Sequence, residues 1–269
     1  MLNGGLREVW ALAATLGLKA DSDVLELGCG LGGPMRFIAE RYHCHVTGVD
    51  VTPRQVETAR SLTAGLDVEP LLEFVLADAC ALAFAGGRFT HVYSLEALVH
   101  VSDKVAAISE AFRVLEPGGI FCVHDPVVAV PSFEIALFHE AVFPLPLRDY
   151  MTALDDAGFR DVVVIDRTRE SVEGYALLGQ LAARGPISPS NLLAVFDRRY
   201  PGVRPPLLRL LSPARVRHVL RYALARSAAA GDLFGDPELV RGVHQMCEDI
   251  IAGYASGAQA LYQIRARKP

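Results

Sequence analysis

Along the first 115 residues, short apolar runs alternate with stretches whose apolar residues recur at three- and four-residue spacing. The first pattern is typical of buried strands and the second of amphipathic helices. The predicted strands of this half are Asp23–Leu27, His45–Val49, Leu71–Leu76, Phe89–Ser94 and, just beyond it, Ile120–His124. Strands separated by helical stretches imply parallel crossovers, so the pattern predicts a doubly wound α/β fold with a mostly parallel sheet.

Start signals support the helices between these strands. Thr52-Pro53 is typical of a helix N-cap followed by its first turn, and Ser102-Asp103 is a second cap of this kind. The predicted helices are Leu6–Leu18, Met35–Tyr42, Pro53–Leu62, the stretch from Asp103 to Leu115, and Leu147–Ala157.

The second half of the chain has a less regular pattern. A strand is predicted at Val162–Asp166, helical spacing then dominates from Ser171 to Ser256, and a last strand is predicted at Ala260–Ala266. We therefore expect an α/β core of residues 1–168 plus 257–269. A helical insertion of residues 169–256 would interrupt it before the last strand and serve as a cap over a substrate.

Composition narrows the function classes. The 269 residues are 51% hydrophobic and carry a formal net charge of -5, which excludes wholesale disorder and gives no reason to expect a nucleic-acid partner. The five cysteines form no CxxC pair, so buried thiols are expected and a metal site is not. No secretory leader and no apolar run of membrane-spanning length is found, so we expect a cytoplasmic protein without membrane insertion. The sequence leaves a homo-oligomer open as one arrangement.

A glycine-rich turn, Gly28-Cys29-Gly30-Leu31-Gly32-Gly33, follows the first predicted strand and matches GxGxxG. Alone it is a weak signal, because several classes of nucleotide-cofactor enzymes use such a turn, and glycines after a strand are often only turns. The neighbouring carboxylates discriminate between cofactors. Glu26 would repel a pyrophosphate but suits an ammonium, and Asp50 ends the second strand where ribose hydroxyls are bound.

Asp78 ends the third predicted strand, where its carboxylate can accept a hydrogen bond from an adenine amino group while the Ala79 N–H donates to a ring nitrogen. An acidic site of this kind tolerates a cationic sulfonium better than a polyanion. Taken singly, Asp50 and Asp78 could equally be helix N-caps.

Four segments in order, Asp23–Gly33, Gly48–Asp50, Asp78–Ala79 and Leu115–Gly119, resemble the motif series of class I S-adenosylmethionine-dependent methyltransferases. The resemblance covers residues 20–168 plus the terminal strand, and it is closest to small-molecule branches such as sarcosine-type N-methyltransferases and sugar or phenol O-methyltransferases. It implies a Rossmann-like seven-stranded sheet whose last strand is antiparallel. It also implies S-adenosyl-L-methionine as cofactor.

The resemblance further implies which residues bind this cofactor: Glu26, Gly28, Gly30, Asp50, Val51, Gln55, Asp78, Ala79 and Ser94. One feature departs from the family. Those relatives carry additional N-terminal helices that close over the cofactor, whereas about 22 residues precede the first predicted strand here. A lid would then come from the helical insertion, come from another subunit, or be missing.

Two residues lie where a base for methyl transfer would be needed. His100 follows the fourth predicted strand and Asp125 ends the fifth, so both fall at the ligand-binding edge of the sheet. In the similar enzymes the matching residues face the methyl acceptor, so we expect His100 as general base and Asp125 as its orienter or as an acceptor anchor. The alternatives are a backbone-bonded loop histidine and a turn before Pro126. His124, on the opposite strand face, is expected to be structural.

Residues 184–230 contain nine arginines and a single acid, Asp197. Arginine forks there could bind an anionic acceptor, form a basic amphipathic helix, or simply face solvent. The expected function is methyl transfer to a small-molecule hydroxyl or amine, as in specialised metabolism. The alternatives are a binding protein of the same fold that catalyses a rearrangement or cyclisation or acts as a scaffold, and a nicotinamide oxidoreductase, which Glu26 disfavours.

Overall fold

A computed structural model of the chain describes residues 6–129, 142–183 and 237–269, and within them seven strands form one sheet. The strands are β1 Asp23–Leu27, β2 His45–Asp50, β3 Leu72–Leu76, β4 Phe89–Leu95, β5 Leu115–Val128, β6 Arg160–Asp166 and β7 Gln259–Arg267. Their order in the sheet is β3-β2-β1-β4-β5-β7-β6. The first five strands pair in parallel, and β7 is antiparallel to both β5 and β6. The predicted fold is confirmed.

Seven α-helices lie in the described part of the chain. They are α1 Leu6–Leu16, α2 Gly33–Tyr42, α3 Pro53–Thr63, α4 Lys104–Val114, α5 Leu147–Ala157, α6 Thr168–Ala183 and α7 Pro237–Ala255. Short 3-10 helices cover Glu69–Leu71 and Leu98–His100. The second of these, Leu98–His100, is called the His100 turn below.

Side chains of alternating strand residues pack into two separate hydrophobic cores, one on each face of the sheet. Val24 packs on one face with apolar residues of α1, α2 and α3, whereas the adjacent Leu25 packs on the other face with α4 and α5. A sheet covered on both faces buries consecutive residues of its central strands, and Val24–Leu27 of β1 and Val46–Val49 of β2 are all buried. The polar residues that concern the site therefore cluster at the strand ends.

The chain divides into two compact units, one of Met1–Gly174 with Ile250–Pro269 and one of Tyr175–Asp249. Within the second unit His244 Nδ1 donates to the Gly179 carbonyl oxygen at 3.2 Å, which joins α7 to α6. The expected division at residues 168 and 257 remains a prediction, and the arginine-rich stretch lies outside the described residues. None of the helices described here has the length and apolar character needed to cross a membrane.

Candidate active site

The glycine turn after β1 is anchored to the end of β2. The backbone amides of Gly28 and Cys29 both donate to the Val49 carbonyl oxygen at 2.9 Å. Gly28 has φ of +74°, and a Cβ added there would stand 2.3 Å from the Cβ of Ala97. Only glycine satisfies both the left-handed backbone and the close approach of the loop after β4. The turn is thus wedged between two strand ends.

Asp50 holds this turn from the end of β2. Its Oδ2 accepts the Gly30 backbone N–H at 2.9 Å, and its Oδ1 accepts the Thr52 N–H, also at 2.9 Å. A carboxylate has about four acceptor positions, so the two oxygens retain capacity for further donors such as hydroxyl groups. Asp50 therefore stabilises the glycine turn through backbone hydrogen bonds, in addition to the ribose-binding role that the sequence predicts for it.

The ends of β2 and β3 lie side by side, with Asp50 opposite Leu76 in the register. Two apolar side chains are exposed here, Val51 by 70% and Leu76 by 53%, and they give a flat aromatic ring an apolar surface. Asp78 Oδ1 accepts the Cys80 backbone N–H at 2.8 Å, which fixes the loop that contains Ala79. Gln55, a further predicted cofactor residue, is half-buried in the first turn of α3.

Buried polar atoms without hydrogen-bond partners gather at the adjoining ends of β1 and β4. Glu26 Oε2, the Tyr93 hydroxyl and the Ser94 Oγ all lack a hydrogen-bond partner of normal geometry among the described residues, although the Tyr93 hydroxyl lies close enough to lower the pKa of the Glu26 carboxyl. Glu26 and Tyr93 are opposite each other in the register, and burial raises the pKa of Glu26 to about 8. Each such atom costs about 1–3 kcal/mol, so a functional reason for keeping them is expected.

The His100 turn begins with an unusual backbone at the end of β4. Glu96 has φ of +52°, and its N–H donates to the His124 carbonyl oxygen at 2.7 Å. The His100 N–H then donates to the Ala97 carbonyl oxygen at 3.0 Å and closes the 3-10 helix. A non-glycine residue in this region is strained, and such strain concentrates at functional sites.

Asp125 lies behind the His100 turn and is only 1% exposed. Its Oδ2 accepts the Tyr150 hydroxyl at 2.7 Å, whereas Oδ1 lacks a partner of normal geometry among the described residues. Burial raises the pKa of Asp125 to about 7, although the Tyr150 hydroxyl, the Lys104 ammonium and the Val99 backbone N–H each lower it. The carboxyl therefore holds a proton for part of the time near neutral pH.

His124 lies on the other face of β5, under α1. Its Nε2 is 3.8 Å from Glu8 Oε2, while the Arg167 Nε is 3.2 Å from the same oxygen. Burial lowers the pKa of His124 to about 3, so the ring is neutral at physiological pH. This placement separates His124 from Asp125, as the strand alternation predicts. His139-Glu140, a further polar pair that could contact an acceptor, lies outside the described residues.

Three polar residues near Asp125 escape sequence reasoning. Tyr150 and Lys104 lie on α5 and α4, and Tyr254 lies near the end of α7. The Ser171 hydroxyl donates to the Tyr254 oxygen at 3.2 Å, and the charges of Glu96 and Asp125 help burial to raise the Tyr254 pKa. The available signals, a tyrosine or a lysine on an otherwise apolar helix face, are too common to single these residues out.

Comparison with known proteins decides what this edge of the sheet belongs to. Residues 25–123, which include the glycine turn, Asp50, Asp78 and the His100 turn, match the family described as "Methyltransferase domain". This segment is a methyltransferase domain. It is of the class I type that the motif order indicates.

Curated relatives of the methyltransferase domain include phosphoethanolamine N-methyltransferase 1 of Triticum aestivum. It is 34% identical over 169 residues, which are 61% of this chain and 34% of the relative. The chain thus spans about a third of the length of the first curated relatives it matches. The likeness therefore concerns the domain and not the whole of those proteins.

Solved structures share the fold across nearly the whole chain. Geranyl diphosphate C-methyltransferase of Streptomyces coelicolor A3(2) superposes with a TM-score of 0.70 at 17% identity, covering 98% of this chain and 77% of that one. The [4+2]-cyclase SpnF superposes with a TM-score of 0.67 at 20% identity, covering 98% of this chain and 80% of that one. The same fold therefore occurs in proteins with different activities.

Proposed function

We propose that the protein binds S-adenosylmethionine at the carboxyl-terminal edge of the sheet and transfers the methyl group to a small molecule. The observation that carries the proposal is the Asp50 carboxylate, which holds the Gly30 amide and the start of the next helix in one place. With Glu26 buried two residues before the turn, the site presents carboxyl groups where a pyrophosphate would need positive charge or free amides.

Each part of the cofactor has a matching surface. Asp50 accepts from the ribose hydroxyls, and the exposed Val51 side chain covers the adenine, whose amino group reaches Asp78. In this proposal Gly28, Gly30, Gln55, Ala79 and Ser94 contact the remaining parts of the cofactor. The Glu26 carboxyl receives the ammonium of the methionyl group. A cation bound at Glu26 offsets the burial that raises its pKa, so the carboxylate form is favoured in the complex.

The transfer is a displacement at the methyl carbon. A lone pair of the acceptor oxygen or nitrogen forms the new bond to carbon, the carbon–sulfur bond breaks, and its electron pair leaves on the sulfur of S-adenosylhomocysteine. Alignment of donor and acceptor supplies much of the acceleration. His100 takes the proton that the acceptor loses, and the buried Asp125 orients the segment that carries His100.

The acceptor is a hydroxyl or amine compound, and an anionic group on it suits the arginines of residues 184–230. Phosphoethanolamine and geranyl diphosphate, named in the relatives' descriptions, are compounds of this charge. A metabolite and not a polymer is the acceptor that this proposal requires.

Calorimetry and a transfer assay together test the proposal. The protein should bind S-adenosylhomocysteine and not NAD or NADP, and labelled S-adenosylmethionine should give a labelled small product from metabolite extracts. His100→Ala should lower turnover by about 10²-fold and leave cofactor affinity unchanged. Binding of NAD in place of the adenosyl compounds would overturn the proposal, and binding without transfer would favour the rearrangement or cyclisation alternative.

A further inference from the structure

Lys104, the first residue of α4, is an unusual lysine because only 2% of its surface is exposed. Lysines are almost never this buried unless the ammonium is paired. Here Nζ donates to two backbone carbonyl oxygens. The Val101 oxygen accepts at 2.9 Å, and the Phe143 oxygen accepts as well. No described carboxylate lies within ion-pair distance of it, so backbone carbonyls provide its solvation.

The two carbonyls belong to segments that enclose the His100 turn. Val101 follows His100 directly, and Phe143 lies just before α5. The Phe143 N–H donates in turn to the Val99 carbonyl oxygen at 2.7 Å. Both sequence neighbours of His100 are thereby linked to Phe143. Val101 is linked through the Lys104 ammonium, and Val99 is linked through the backbone hydrogen bond from the Phe143 N–H.

The Asp125 carboxyl adds an electrostatic partner from β5. The Lys104 charge and the Val99 N–H both lower the pKa of Asp125, so both lie close to this carboxyl. The Tyr150 hydroxyl occupies its other oxygen. Asp125 on β5 and Lys104 on α4 therefore both lie close to the His100 turn. Attraction between the Lys104 ammonium and the Asp125 carboxylate favours the packing of these two elements around the turn.

We propose that Lys104 is a positioning residue for His100. Its ammonium holds the end of the His100 turn, through the Val101 carbonyl, against residues 142–146, through the Phe143 carbonyl. The inference rests on the proposed function in that it needs His100 to take the acceptor's proton. Lys104 acts through the backbone and touches neither cofactor nor acceptor. Its loss should lower turnover about 10- to 100-fold and leave the affinity for S-adenosylhomocysteine unchanged.

The test compares Lys104→Met with Lys268→Met. Lys268 is a matched control because its Nζ also donates to two backbone carbonyls, those of Phe112 at 2.8 Å and Leu115 at 2.7 Å, at the opposite edge of the sheet. Lys104→Met should lower turnover in the native background but cause little further loss in His100→Ala. Lys268→Met should lower the melting temperature with turnover near normal. Equal losses from Lys104→Met in both backgrounds would overturn the positioning role.

A second readout does not depend on activity. The chain has eight histidines, and the imidazole nitrogen resonances of His100 are identified by their disappearance in His100→Ala. Lys104→Met should shift these resonances more than Lys268→Met does, and an unchanged His100 signal would overturn the inference. Should Lys104→Met fail to fold, Lys104→Arg is measured in the same way, since it keeps the charge but displaces the donors.

This second readout also separates the two proposals. A protein without methyl transfer, in which His100 resonances still respond to Lys104→Met, would refute the proposed function and keep the structural role of Lys104. Methyl transfer that is lowered by His100→Ala but unchanged by Lys104→Met would support the proposed function and refute the positioning role of Lys104.

Discussion

The two halves of the candidate site are built in different ways. At the ends of β1 to β3, backbone amides of Gly28, Cys29 and Gly30 bond to Val49 and Asp50, and the Val51 and Leu76 side chains are exposed. At the ends of β4 and β5, buried side chains make the contacts, and Asp125 accepts a hydrogen bond from Tyr150 inside the core. The first half is held mainly by backbone amides at adjacent strand ends, and the second by buried side chains from separate elements.

The difference has an energetic consequence. The backbone amides of the glycine turn are satisfied when β1 pairs with β2, whereas a buried carboxyl or ammonium must be compensated by side chains or backbone groups of other elements. The hydrogen bonds of the glycine turn are therefore satisfied, whereas the strained Glu96 backbone and most of the unpaired buried polar atoms of the described residues lie at β4 and β5. The predictions below test this contrast, from the largest expected effect to the smallest.

Gly28→Ala should abolish cofactor binding, with a loss of at least about 100-fold. An alanine Cβ would meet the Ala97 Cβ at 2.3 Å and would also force a left-handed backbone, so the turn must move away from β4. Gly65→Ala is the control, because Gly65 has φ of +72° with nothing within 4 Å of an added Cβ. It should cost about 1 kcal/mol of stability and leave calorimetric affinity unchanged. Equal affinities in the two variants would contradict the wedged turn.

Asp50→Asn should weaken S-adenosylhomocysteine binding by about 10- to 100-fold. An asparagine has one carbonyl oxygen, so one of the two backbone N–H groups that Asp50 accepts would face a donor, at a cost of about 1–3 kcal/mol. Asp166→Asn is the matched control, since Asp166 Oδ1 accepts the Thr168 N–H at 2.8 Å in a loop that is remote from the glycine turn. Calorimetric titration of both variants decides the question. A native affinity in Asp50→Asn would remove this residue from the site.

Asp125→Asn should change how stability depends on pH. Burial raises the folded pKa of Asp125 to about 7, above the ordinary value of 3.8, so the folded protein binds the proton more tightly than the unfolded chain. The contribution is therefore fully present below pH 3.8 and is lost as the pH rises through 7. Between about pH 4.5 and 6.5 the free energy of unfolding should fall with a slope of up to about 1.4 kcal/mol per pH unit for this proton, and this contribution to the slope should vanish above about pH 7.

Urea unfolding at several pH values measures the slope, to which Glu26 contributes in the same direction. Asp125→Asn should flatten it, and Asp149→Asn should not, because Asp149 lies on the first turn of α5 with its side chain 41% exposed. The same slope in Asp125→Asn as in the native protein would show that this carboxyl is ionised in the folded state.

The sequence predicts the positions of the first-half residues more directly than the contacts of the second half. Gly28, Asp50 and Asp78 end or closely follow strands, so strand ends and motif order place them at the edge of the sheet, and their roles remain predictions. The contacts of the second half join side chains on different elements. Tyr150 lies 25 residues from Asp125, and Tyr254 lies 83 residues from Ser171. Periodicity within one helix does not reveal such partners.

Strand β5 shows the same limit. The sequence predicts Ile120–His124, because Glu116-Pro117-Gly118-Gly119 has the composition of a turn, yet the strand runs from Leu115 to Val128. Its early part is paired by the chain end, since the Gly118 N–H donates to the Lys268 carbonyl oxygen at 2.9 Å and the Lys268 N–H donates to Gly119. A partner about 150 residues away overrides the local composition. The roles assigned to His100 and Asp125 remain predictions for the same reason.

The position of β7 in the sheet determines when the sheet can be completed during synthesis of the chain. It is the last strand in the chain, but it lies inside the sheet between β5 and β6. While the ribosome is still adding residues 259–267, the edge of β5 stays open and β6 has no neighbour to pair with. Nascent chains of this protein would thus expose an unpaired strand until residues 259–267 have been added, and this interval is when aggregation competes most strongly with folding.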